Sequence, residues 1–372
     1  MDANATTPLL PEVAEAMRPF LLEQFGNASS IHQEGQLARA AVERARGSVA
    51  RFLGCRPAEV VFTSGGTESD NLAIFGSAKQ GDHVITTAVE HHAVLQAVAR
   101  LAERGISVDV LPVDRQGVVS GEDVRRALRP DTSLISVMMA NNETGALEPV
   151  QEIGCIAAEA GVRFHVDAVQ AAGKIPISVD SIGCHLLSIS GHKMHGPQGV
   201  GVLFVRRGTR LEPIFAGGAH ERQRRAGTEN VAGIVGLGKA AECAIEGEGS
   251  VRLAILRDRL EKGLQEYSCA VNGGQALRVP NTSNLQFDAV DGEALVIALD
   301  LKGLAVSSGA ACSSGASEPS HVLEAMGLTP NQARSSVRFS LHRQTTEEDV
   351  DRAIALVAAQ VTRVRELSAV VR

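Results

Sequence analysis

The sequence predicts an α/β fold, with a large domain built on a mostly parallel central sheet and a smaller α+β C-terminal domain. Three observations predict it. Between about residues 59 and 206, short β-branched runs alternate with helical stretches. After about residue 229 the order changes to a long helical region, then strands and helices in mixed succession. The chain has 372 residues and is 44% hydrophobic, enough for two cores.

The alternation begins with EVVFT at 59–63 and the helical TESDNLAIFGSA after it. A strand at 83–89 leads into HHAVLQAVARLAERG, and a strand at 107–113 into the short helix SGEDVRRAL. The nearly continuous apolar run 132–140 precedes the helix VQEIGCIAAEAG, and strands at 162–166, 185–189 and 200–205 complete the set. Runs this apolar suit a sheet covered on both faces, whose ligands collect at the carboxyl ends of the strands. Residues 229–267 read as helix, broken by EGEGS at 246–250, which is either a domain boundary or a plain helix break. Strands at 282–287, 304–307 and 336–341 then alternate with helices at 292–301, SHVLEAMG and 346–367. The last helix opens on hydroxyl and acidic residues that complement its first-turn amides. We place the large domain at 14–247 and the small one at 248–372, with residues 1–13 as an N-terminal arm.

Composition excludes several classes. Aromatic residues make up 3%, with no Trp and the single Tyr267, which argues against stacking platforms for single-stranded nucleic acid. A net charge of -7 implies no basic surface for nucleic acid. No apolar run reaches a membrane span, and MDANATTPLLPE lacks the basic and apolar regions of a secretory signal, so a cytoplasmic location is expected. The cysteines at 55, 155, 184, 243, 269 and 312 have no C-x-x-C spacing, so no metal site is expected. Cys155 and Cys243 sit in apolar company and read as small buried hydrophobes. Cys312 differs: it lies in VSSGAACSSG, among small residues that cannot cover it.

Several segments carry candidate chemistry. In FTSGGTESDNLAI a strand ends, Gly65 and Gly66 permit a tight turn, and Thr67 opens a helix; this is a phosphate cradle or an ordinary strand–helix turn. The strand ending in HVD delivers Asp167 to its carboxyl end, to cap a helix or hold a ring nitrogen. In LSISGHKMHGP, Lys193 lies between His192 and His195 in a glycine-flanked turn, as an imine-forming amine or a surface lysine. Of His91 and His92, one can face a pocket, with the other solvated. The segment AGGAHERQRRAGT is a solvated loop or one that reaches an anion, with Thr228 at its end. On SSVRFSLHR, Arg338 shares one strand face with Ser336 and Ser340, where a guanidinium suits bidentate grip of a carboxylate. Together, an anion cradle, a strand-end aspartate and a strand-end lysine are the parts that bind pyridoxal phosphate, and the arginine implies an amino-acid substrate.

The chain resembles the cysteine desulfurases of the nitrogen-fixation and iron–sulfur cluster assembly type, within the class V aminotransferase-like fold. The resemblance runs from DANATTP at 2–8 through FGNASSIH, FTSGGTESDNLAI, EHHAVL, NNETG, HVDAVQAAGK, SGHKMHGPQGVG, RRAGTEN and VSSGAACSSGASEPSHVL to SSVRFSLHR. It implies a fold type I pyridoxal-phosphate-dependent transferase. Lys193 would carry the cofactor, Asp167 would pair with its ring nitrogen, and Gln170 would bond its ring hydroxyl. His91 would stack on the ring and help move protons. Gly66, Thr67, Ser190 and His192 would hold the phosphate, with Thr228 arriving from a partner subunit, so a homodimer is implied. Asn142 and Arg338 would orient the substrate carboxylate. Cys312 would take sulfur from L-cysteine as a persulfide and pass it to an acceptor protein, such as an iron–sulfur scaffold. A selenocysteine lyase, or a desulfurase serving tRNA or DNA modification, are the alternatives; a non-catalytic partner-binding subunit does not suit a chain that keeps Lys193 and Cys312. Two departures stand out. Relatives usually carry a short strand before the first motif, whereas Asp2 follows Met1. Some members also continue past the position of Arg372 into a scaffold-docking tail, so that docking mode is not expected.

Overall fold

The computed structural model describes residues 1–245, 249–308 and 318–370. Two helices precede the first strand: α1 (Pro11–Leu22) and α2 (Gln33–Leu53). The sequence pattern did not announce them; in α2 half of the apolar stripe that is buried is alanine, Ala38, Ala41, Ala45 and Ala50, beside Val42, Val49, Phe52 and Leu53. His32 caps the start of α2 and Gly54, at φ 71°, ends it in a left-handed turn.

The large sheet contains β1 (Val60–Thr63), β2 (His83–Thr87), β3 (Ser107–Leu111), β4 (Thr132–Met138), β5 (Arg163–Asp167), β6 (Leu186–Ser190) and β7 (Gly201–Val205). Its order is β1-β7-β6-β5-β4-β2-β3. The sheet is mostly parallel as expected; β7 alone runs against its neighbours β1 and β6. Between the strands lie α3 (Gly66–Phe75), α4 (His92–Glu103), α5 (Gly121–Ala127), α6 (Val150–Ala160) and α7 (Val179–Ile182). Every residue of β1, β2, β6 and β7 is buried, so both faces of these strands are covered. The edge strand β3 is mostly uncovered, and Asp109 on it binds Arg129.

Helices α8 (Val231–Ile245) and α9 (Gly249–Gly263) lead to a second sheet. Residues 246–248, in the expected boundary segment, lie outside the described residues. Then come β8 (Ala270–Val271), β9 (Thr282–Gln286), α10 (Gly292–Asp300), β10 (Ser307–Ser308), α11 (His321–Ala325), α12 (Pro330–Arg334), β11 (Ser336–Ser340) and α13 (Glu347–Val370). The sheet order is β10-β11-β9-β8, all antiparallel. Of the strand expected at 304–307, only Ser307 lies in β10; Leu304 and Val306 are buried outside it.

One face of this sheet is apolar. Leu285, Val337 and Phe339 pack with Leu256, Leu260, Leu299, Val357 and Val361. The other face, with Thr282, Asn284, Ser336, Arg338 and Ser340, is also buried, yet wholly polar. It lies on the 141–145 loop and the N-terminal arm. The arm adds a stub to β11: Asp2 bridges Ser340, and Ala3 N donates to Ser340 O. No helix among the described residues is long and apolar enough to cross a membrane.

One close approach fixes how α6 sits. A Cβ on Gly154 would stand 1.9 Å from the main-chain oxygen of Ile182 in α7. Gly154→Ala is expected to destabilise the protein by about 1–3 kcal/mol, because backbone must move. Gly47 in α2 has nothing nearer than Arg51 Nη1 at 3.8 Å. Gly47→Ala should therefore stabilise by about 0.5–1 kcal/mol through helix propensity. Thermal unfolding reads both; shifts of the same sign would contradict this packing.

Candidate active site

Three strand ends meet the helix α3. The registers align Thr63 with Gly201, and Gly201 with Ser190. A Cβ on Gly201 would lie 2.7 Å from Gly65 Cα, so only glycine lets the β1–α3 turn come this close. Gly65 itself has φ 155° and ψ -175°, a conformation glycine tolerates. Gly66 packs so closely on the turn after β5 that a Cβ would stand 2.7 Å from Val169 Cγ2. The structure thus brings Gly66, Ser190 and the Asp167 turn together. The first-turn amides of α3 are the anion-attracting group at this point. Thr67 is exposed and Ser190 buried.

Asp167 ends β5 and is buried. Its Oδ1 accepts from Val169 N at 2.9 Å, so it does cap the following turn. Burial pushes its pKa up to about 6, against the pull of that amide and of Lys193. Beneath it, Asp70 Oδ1 and His165 Nε2 stand 3.6 Å apart in full burial. Burial drives Asp70 well above the usual carboxylate range, and His165 down to about 3. With its pKa that low, His165 is neutral near pH 7, so the contact is no ion pair.

His91 caps α4, its Nδ1 accepting from Ala93 N at 3.1 Å. That bond places the ring proton on Nε2. Burial first, then the positive charge of Lys193, lower its pKa to about 4. His92 is not solvated as expected; it is half-buried, with its ring 4.7 Å from that of His321. His192 is lowered to about 4 by burial and by Lys193, and its Nδ1 lies 3.2 Å from Thr6 Oγ1.

Lys193 is half-buried rather than a surface lysine. Its Nζ donates to the main-chain carbonyls of Asn4 and of Ala5, the latter at 2.9 Å. The arm is stapled to this turn: Thr7 N and Thr7 Oγ1 both donate to His192 O, and His195 N donates to Thr7 Oγ1. Asn4 was not singled out in the sequence, although it lies in the DANATTP motif. It is a hub. Its Nδ2 donates to Asn142 O and Thr282 Oγ1, its Oδ1 accepts from Lys174 and Asn281, and its carbonyl also accepts from Gln170 Nε2. Lys174 was also missed, four residues after Gln170 in the same quoted motif.

Arg338 is buried, with Nη1 on Asn142 O at 3.0 Å and Nη2 on Asp2 Oδ1 at 2.8 Å. Two buried atoms here have no hydrogen-bond partner: Asn142 Oδ1 and Arg338 Nε. Such atoms are costly unless something polar binds them.

Other expectations change. Within the 216–228 loop, Arg225 Nε pairs with Glu68 Oε1 at 2.9 Å in the first turn of α3. Glu221 is buried and clamps Arg46 at 2.7 Å. Thr228 is exposed. Cys155 is exposed on α6, not buried, while Cys243 is buried as expected. Cys312 lies outside the described residues. No cluster suited to a metal occurs among the described residues.

The donor set fits pyridoxal phosphate. A cradle of glycines and first-turn helix amides suits the phosphate, a donor-poor buried carboxylate suits the ring nitrogen, and a half-buried amine suits the aldehyde.

Comparisons with known proteins agree with this geometry. The family model "Aminotransferase class-V" matches residues 1–353. The chain is 48% identical over 376 residues to the cysteine desulfurase IscS of Dictyoglomus turgidum, covering 99% of this chain and 95% of that one. A solved NifS-like protein superimposes with a TM-score of 0.92 at 37% identity, over 97% of this chain and 98% of that one. The structure of SspA in complex with cysteine matches at TM-score 0.83 and 36% identity, over 93% and 99% of the two chains. The chain belongs to the class V aminotransferase family.

Proposed function

We propose that the protein is a pyridoxal-phosphate-dependent cysteine desulfurase that converts L-cysteine to L-alanine and holds the sulfur on Cys312. The observation that carries this reading is the Lys193 amine beside Asp167 and His91 at the strand ends, in a chain similar to cysteine desulfurases over 99% of its length.

Gly66, Thr67, Ser190 and His192 would hold the phosphate, Asp167 the ring nitrogen and Gln170 the ring hydroxyl, with Thr228 of a second copy completing the phosphate grip. When bound, the cofactor supplies an aldehyde that captures amines and a ring that withdraws electrons from the substrate Cα. Asn142 and Arg338 orient the substrate carboxylate. Lys193 would remove the Cα proton. His91, neutral and with its proton on Nε2, covers the ring and relays a proton. The Cys312 thiolate attacks the substrate sulfur. The new S–S bond forms, the Cβ–S bond breaks with its electron pair left on carbon, and a proton delivered to that carbon gives alanine. The persulfide sulfur then passes to an acceptor protein, of which an iron–sulfur scaffold is the proposed example. Residues 14–247 and 248–372 are the proposed domains, and the cytoplasm the proposed location.

Purified protein should be yellow and release alanine from L-cysteine. Cys312→Ala should keep the visible absorbance and lose alanine turnover by at least ~100-fold; turnover at the wild-type rate would remove Cys312 from the mechanism. Lys193→Ala should change the absorption spectrum, and an unchanged spectrum would show that another group carries the cofactor.

Asp167 must be ionised to face a protonated ring nitrogen, and its pKa without that partner is about 6. Cofactor affinity should therefore fall as pH drops through about 6, since the carboxyl must first lose its proton. Equilibrium dialysis between pH 8 and pH 5 measures this. In Asp167→Asn the slope assigned to this carboxyl should vanish.

A further inference from the structure

Lys174 is a half-buried residue whose amine the mechanism above does not use. Its Nζ donates to Asn4 Oδ1 at 3.0 Å and to Gln170 Oε1. Both acceptors are uncharged amide oxygens. Burial, then the charges of Lys193 and Arg338, push its pKa well below the ordinary lysine value. An ammonium in such a place is costly, and a hydrocarbon side chain would fill the space without that cost.

What the amine does is set the polarity of two amides. An amide side chain presents one accepting and one donating end. With Lys174 on Oε1, Gln170 must turn Nε2 toward Asn4 O, where it donates at 3.0 Å. With Lys174 and Asn281 on Oδ1, Asn4 must turn Nδ2 toward Asn142 O and Thr282 Oγ1. The Asn4 carbonyl that Gln170 thereby pins is the same one that receives Lys193 Nζ.

We propose that Lys174 is a positioning residue of this active site, which holds Asn4 and Gln170 in the one orientation that presents the arm carbonyls to Lys193. The inference rests on the proposed role of Lys193. Its consequence is read at Lys193, because carbonyl oxygens held against that nitrogen favour its protonated form. The other charged and titratable groups around the pair are Asp167 at the end of β5, His91 at the start of α4, and His192 and His195 after β6. Arg338 on β11 and Asp2 on the arm complete the set.

The test uses cofactor-loaded protein and titrates its visible absorption band between about pH 6 and pH 10. Lys174→Met and Lys174→Leu, which remove both donations, should each lower the midpoint by about one unit, because the carbonyls that favour a proton on Lys193 are released. Lys174→Arg, which keeps N–H donors at this place, should leave the midpoint near that of the wild type. Two donor-free replacements are used so that a folding failure of one leaves the other. A midpoint that does not fall in a folded donor-free variant overturns the proposal, as does a Lys174→Arg midpoint equal to that of the donor-free variants. If instead Lys193→Ala leaves the wild-type band and its titration intact, it is the reading of Lys193 that fails, whatever Lys174 does.

Discussion

Lys193 Nζ is held by main-chain carbonyls of the N-terminal arm, and much of the architecture serves to keep that arm in place. Residues 1–7 run between two sheets. Met1 and Ala3 bond to Ser340 on β11, while Thr7 bonds to the turn that carries Lys193. Asn4 satisfies every polar atom it has in this gap, with partners from the small sheet and from the segments that follow β4, β5 and β6. Buried backbone needs such partners, and here they are supplied by the same groups that build the site.

This explains the polar inner face of the small sheet. Thr282, Asn284, Ser336, Arg338 and Ser340 are buried without forming a hydrophobic core. They are instead a seam of hydrogen bonds to the arm and to the 141–145 loop. Asn284 Nδ2 reaches Glu143 O at 3.4 Å, and Glu143 Oε2 takes the hydroxyl of Ser320 at the cap of α11. Burial raises Glu143 to about 7. Directional bonds of this kind fix relative position more narrowly than apolar contact, which suits a site whose parts come from strand ends of one sheet and the face of another.

Much of the site was legible in the sequence because motifs sit at strand ends, where the chain leaves regular structure. Gly65-Gly66, Asp167 and Lys193 each follow an apolar run, and that order is readable one segment at a time. Asn4 and Lys174 were not, because their partners lie far away along the chain: Asn4 bonds Lys174 and Thr282. Helix α2 escaped for a different reason: alanine builds half of its buried apolar stripe, and alanine gives little contrast between the faces of a helix. Cys155 misled because apolar neighbours in sequence lie on other faces of α6, leaving the thiol in solvent.

The sequence by itself determined the α/β alternation, the mostly parallel sheet, the family, and the residue types that suit pyridoxal phosphate. These are local patterns or ordered motifs, and a single chain displays them in order. Only the tertiary structure decided which groups face one another. It put β7 antiparallel between β1 and β6, turned the loop arginine Arg225 onto Glu68, set Arg338 on Asp2 and Asn142, and placed Lys174 beside the Lys193 amine through Asn4. The reason is physical: hydrogen-bond partnership and desolvation depend on distance in space, and spacing along the chain does not encode that distance.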